Sequence, residues 1–100
     1  MGKLVRDKIP AMIKKSGEKP QIRILEEAEY RRCLEAKLDE EVAEFHAEQN
    51  VEELADILEV VLALTKADGR SENELFAICR AKRDARGGFD DKILLLQVDE

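Results

Sequence analysis

Glu40, Glu41 and Glu44 fall within five residues of one another, and Glu53 and Asp56 follow shortly after. The spacings Glu41-x-x-Glu44 and Glu53-x-x-Asp56 put both members of each pair on one face of a helix. A carboxylate turned toward protein is costly without a partner. Several carboxylates aimed at one point are accounted for by a hard divalent cation between them. An all-oxygen set of this kind suits Mg2+ or Mn2+ better than Zn2+. A second reading fits the same spacing. Acidic residues are ordinary on a solvated helix face, and Glu52, Glu53 and Asp56 at the start of a helix complement its dipole.

Two basic clusters flank the acidic one. Lys3, Arg6 and Lys8 lie near the start of the chain, and Lys82, Arg83 and Arg86 lie near its end. Arginine offers a bidentate fork to phosphate and lysine a point charge. Metal ions and cations around one anion are what phosphoryl chemistry requires. Each cluster also has a plainer reading. Arg6 and Lys8 can pair with the acidic helices, and cations at a helix C-terminus are favoured by the dipole. Gly87-Gly88 can stop a helix or let backbone N–H groups approach a phosphate. No Ser, Cys or His is placed to act as a covalent nucleophile, so the expected chemistry is direct attack by water, with Glu40 or a ligand carboxylate taking the proton.

The elements that must position these groups read as helices. Residues 3–16 give a basic entry and then a helix, with Asp7 as its cap, Pro10 in its first turn and Gly17 as its stop. The second helix runs from about Glu27 to Glu48, because Tyr30, Leu34, Leu38, Val42 and Phe45 recur at three- and four-residue steps. Glu41 falls within roughly 40° of the centre of that stripe at about 100° per residue, Glu44 falls at its margin and Glu40 points away. Asn50 marks a break, and the third helix runs from about Val51 to Asp68 and stops at Gly69. Short connections make antiparallel neighbours, so Glu41 and Glu44 meet Glu53 and Asp56 across the hairpin. Glu48 and Glu59 are accessory candidates. Val60-Val61-Leu62-Ala63-Leu64 is apolar all round, which predicts burial on most sides or a subunit interface. Ser71-x-x-Glu74 is a capping box that opens a fourth helix. Residues 21–25 and the apolar run 93–98 read as extended, and they are predicted to pair as a two-stranded ribbon beside the bundle.

The bulk properties narrow the class. One hundred residues make one domain, 1–100. With 44% apolar and 40% charged residues and only two prolines, a charged, soluble, helical protein is expected. The formal charge of −6 argues against general nucleic-acid binding. No apolar run approaches transmembrane length, and no signal-peptide core is present. Cys33 and Cys79 lie within expected helices and read as reduced core residues of a cytoplasmic protein. His46 stands alone and reads as a helix-surface residue.

Leu38-Asp39-Glu40-Glu41-Val42-Ala43-Glu44-Phe45, followed by Glu53-Leu54-Ala55-Asp56-Ile57-Leu58-Glu59-Val60, resembles the MazG-type nucleoside triphosphate pyrophosphohydrolases. The opening Lys3-Leu4-Val5-Arg6-Asp7-Lys8-Ile9-Pro10 and the closing Lys82 to Phe89 are similar to a small single-domain branch related to phosphoribosyl-ATP pyrophosphohydrolase. The resemblance implies an all-α, MazG-like bundle of about four helices that assembles as a homodimer or homotetramer. It implies Mg2+-dependent hydrolysis of a nucleotide between the α and β phosphates, giving a nucleoside monophosphate and pyrophosphate. By position, Glu41, Glu44, Glu53 and Asp56 are the implied metal ligands, with Glu40 either supporting those ligands from behind or orienting water. Lys3, Arg6, Lys8, Lys82 and Arg86 are the phosphate candidates. Only eight residues separate Glu44 from Glu53, fewer than in many members, which narrows the room for substrate. Three readings remain open on the residues: a nucleoside triphosphate pyrophosphohydrolase, a phosphoribosyl-ATP pyrophosphohydrolase-like enzyme, and a non-catalytic helical dimerisation module.

Overall fold

A computed structural model describes residues 2–100. The chain is all-α, with α1 at Ile9–Lys15, α2 at Glu27–Glu48, α3 at Val51–Ala67 and α4 at Glu72–Arg86. No strand forms among the described residues. The expected four helices are present. The two-stranded ribbon is not, because residues 21–25 and 93–98 stay irregular and unpaired. Ile24 is 86% exposed. An isolated ribbon of two short strands is marginal in water, and the helices supply no sheet edge for either segment to join.

The α2–α3 hairpin is the organising unit. Gln49 takes up a left-handed conformation, φ 56°, and its N–H donates to the Phe45 carbonyl at 2.8 Å. Asn50 then caps α3, its side-chain oxygen accepting from the Glu53 N–H at 3.1 Å. Two residues therefore reverse the chain, and the helices pack along their length. Their antiparallel register is visible at both ends. Glu41 meets Asp56 near the turn, and Arg31 pairs with Asp68 far from it. Replacing Asn50 with Ala is expected to cost about 1 kcal/mol, read as a lower urea midpoint at fixed protein concentration, and to loosen the backbone that carries Glu53.

The other boundaries follow local chemistry. Ser71 and Glu74 form the expected reciprocal capping box, with both bonds at 3.1 Å. Gly69 closes α3 at φ 78°, where a side chain would be strained. Asp7 does not cap α1. It lies in the turn before the helix, where the Ile9 N–H reaches the Arg6 carbonyl at 3.1 Å, and Lys8 holds the cap position without a side-chain bond.

The core of a single chain is thin. Leu34 on α2 and Val60 on α3 are its buried apolar side chains, 3% and 7% exposed. The stretch Val61–Leu64 is only half-buried, so one chain does not cover it on most sides as expected. Cys79 is exposed rather than in the core, and Cys33 is half-buried; both are free. Accessible surface totals 9150 Å², against about 5,800 Å² for a compact chain of this mass. The radius of gyration is 18.0 Å, against about 13 Å for 100 compact residues. No helix among the described residues is long and apolar enough to cross a membrane.

Candidate metal centre

Helical spacing turns Glu41 inward from α2, and it is buried at 7% exposure. One turn earlier on the same face stands Lys37, whose ammonium lies 3.2 Å from Glu41 Oε1 and 3.4 Å from Glu40 Oε1. Burial pulls the Lys37 pKa down, but the hydrogen bonds and charges of Glu41 and Glu40 outweigh it and hold the ammonium above the usual lysine range. The other oxygen of Glu41, Oε2, is buried with no hydrogen-bond partner.

Across the hairpin, α3 presents Glu53 and Asp56. One carboxylate oxygen from each of Glu41, Glu53 and Asp56 lies within 4.8 Å of the others. That separation is close to the span of two oxygens on opposite sides of one ion with bonds of about 2.1 Å. Glu53 Oε2 is also buried and unpartnered. Its own burial raises the Glu53 pKa, and the charges of Glu44, Asp56, Glu41 and Glu48 raise it further. Asp56 accepts from the Arg6 guanidinium at 2.5 Å. Lys37 answers Glu41 and Arg6 answers Asp56, while Glu53 has no cation of its own among the described residues. Two inward oxygens are thus left bare beside a third carboxylate. This donor set fits a hard divalent cation.

The sequence-predicted groups separate into two sets. Glu41, Glu53 and Asp56 converge, and Arg6 joins them. Glu44 is exposed and outside the three-oxygen cluster, although its charge is felt at Glu53. Glu40 is half-buried and shares Lys37 with Glu41. Lys3, Lys8, Lys82 and Arg86 are exposed and do not line the groove beside the carboxylates.

That groove has a volume of about 660 Å³, and its walls include Arg6, Tyr30, Lys37, Glu41, Asp56 and Lys66. Residues 4–7, ahead of α1, form one side of it against α2 and α3. The volume lies within the range of small-molecule sites, about 300–1,000 Å³. Lys37 and Lys66 are the groups that sequence reasoning missed. The four-residue step from Lys37 to Glu41 was a readable signal. For Lys66 there was none, because its place on the wall depends on how α2, α3 and the entry segment come together.

No family model and no solved structure matches the chain. An uncharacterized protein of Mycolicibacterium smegmatis is 57% identical over 47 residues, which are 47% of this chain and 48% of that one. The match therefore spans about half the length of that relative.

Proposed function

We propose that the chain is a Mg2+-dependent nucleotide pyrophosphohydrolase that cleaves the bond between the α and β phosphates. The observation that carries this reading is the buried Glu41 carboxylate, which has an unpartnered oxygen and converges with Glu53 and Asp56. Glu41, Glu53 and Asp56 would hold the ion, with Glu44 nearby, and Mn2+ would serve in its place. When bound, such an ion lowers the pKa of water and neutralises phosphate charge.

The side chains of this protein supply the rest. Lys37 fixes the Glu41 carboxylate and keeps one of its oxygens occupied. Arg6 pairs with Asp56 and lines the same groove, where its guanidinium would also grip a phosphate. Glu40, next to Glu41 in sequence and sharing Lys37 with it, would take the proton of the attacking water. The water oxygen bonds to the α phosphorus, and pyrophosphate leaves with the bridging oxygen. Tyr30 and Lys66 line the part of the groove open to the remainder of the nucleotide. The large surface of the single chain supports a homodimer or homotetramer as the working unit, and the free cysteines agree with a cytoplasmic setting.

The test is pyrophosphate release from a panel of nucleoside triphosphates and phosphoribosyl-ATP, with Mg2+ and with EDTA. Release that needs the metal and yields the matching monophosphate is expected. The best substrate distinguishes the two enzyme readings, and a folded chain that releases nothing from any nucleotide would favour the helical dimerisation module.

A further inference from the structure

Arg6 lies on the non-helical segment of residues 2–8 that precedes α1, and residues 4–7 of that segment line the groove. The segment is lightly held. Leu4 is half-buried, while Val5, Arg6, Asp7 and Lys8 are exposed, and α1 packs against no other helix among the described residues. Among those residues, one hydrogen bond joins the segment to the α2–α3 hairpin, from the Arg6 guanidinium to Asp56 Oδ1 at 2.5 Å. Asp56 is also one of the three carboxylates that converge. Lys37, the other cation beside them, is held more firmly. Its side chain is 19% exposed and it pairs with both Glu40 and Glu41, whereas the Arg6 side chain is 57% exposed and pairs with Asp56 alone.

We propose that Arg6 is a stand-in cation for Asp56: it pairs with that carboxylate in the metal-free site, yields it to the ion, and passes to a phosphate of the incoming substrate. This handover rests on the metal reading above and adds an order of events to it. An ion on Asp56 would bring a double positive charge within a few ångströms of the guanidinium, and like charges that close repel. Lys37 cannot swing away without leaving the buried Glu41 carboxylate with no cation, which is costly. Arg6 can, because its side chain is half in solvent and no helix fixes its backbone. Its next partner must be an anion within reach of the groove wall. A phosphate bound to the same ion meets that condition, and the planar fork of the guanidinium matches it. The ion alone therefore competes with Arg6, and the free site holds metal weakly. Ion and phosphate together cooperate, because the ion frees the guanidinium that the phosphate takes up, and the coupling is reciprocal. The site fills when metal and nucleotide arrive together.

Mn2+ binding, read from the paramagnetic resonance signal of the free ion, tests the handover without any turnover. Arg6→Gln is expected to bind Mn2+ about fivefold more tightly than the wild-type chain, the upper range for a half-exposed ion pair. With Mn2+ saturating, the same variant is expected to bind inorganic pyrophosphate about tenfold more weakly by calorimetry, the loss of one charge-assisted hydrogen bond. A residue that only props up the site would weaken both. Amide hydrogen exchange of the unaltered chain needs no variant. Mn2+ alone should speed deuterium uptake in residues 4–8, and added pyrophosphate should slow it again. If Arg6→Gln binds Mn2+ no more tightly than the wild type, if its pyrophosphate affinity is unchanged, or if Mn2+ alone fails to speed that uptake, the handover is overturned while the metal reading stands. If neither chain binds Mn2+, the metal reading and the handover fall together.

Discussion

Glu41→Gln is expected to lower metal-dependent pyrophosphate release by more than about 100-fold, since even the groups that merely orient metal ligands are worth roughly 10–100-fold. The substitution keeps the size and shape of the side chain and removes its charge. Gln cannot hold a hard cation as a carboxylate does. The readout that separates a ligand from a structural residue is thermal. Binding at about 100 times Kd adds ~2.7 kcal/mol to stability, which for a domain of this size moves Tm on the order of 10 °C. The wild-type chain should show that rise on addition of Mg2+ and the variant should not. In metal-free buffer the two should melt close together, because the lost Lys37 pairing is offset by relief of repulsion from Glu53 and Asp56. A Glu41→Gln protein that keeps both its turnover and its Mg2+-induced rise would show that the buried carboxylate is not a ligand.

Leu34→Ala should be the most damaging single change to the scaffold. Truncating a buried leucine costs about 2–5 kcal/mol, and a domain has only about 5–15 kcal/mol in total. Leu34 is 3% exposed and shares the core of the single chain with Val60. It also lines the groove, so its loss opens the floor beneath Lys37 and Glu41. Urea unfolding at several protein concentrations measures the effect. Leu58→Ala is the control, because Leu58 is half-exposed in the single chain. A Leu58 cost that matches Leu34 and grows on dilution would place Leu58 in a contact between copies.

The readable parts of this protein were the local ones. The α2 stripe turned Glu41 inward because burial follows helical period. Asn50 and Ser71 marked helix starts because their side chains satisfy backbone N–H groups three residues on. The convergence of Glu41 with Glu53 and Asp56 followed from those two facts and a short turn. What could not be read depends on distant contacts. Arg6 was open to pairing with the acidic helices, but that its partner is Asp56, fifty residues away, is fixed only by the tertiary fold. Asp7 matched the type of a cap but missed the position, since the turn at Arg6 delays the helix. Residues 21–25 and 93–98 had strand-like composition, yet β propensity is a packing property and no sheet forms among the described residues to pack against.

The two-residue reversal at Gln49 and Asn50 also acts as a ruler. Each residue added to a helix advances it by 1.5 Å and turns it by about 100°. One extra residue between the Asn50 cap and Glu53 would swing Glu53 and Asp56 away from Glu41 while leaving every side chain in the hairpin unchanged. Length, more than residue identity, is therefore the tightest constraint here. Drift by substitution across most of the hairpin surface is compatible with the site, whereas a single-codon insertion in the first turn of α3 dismantles it.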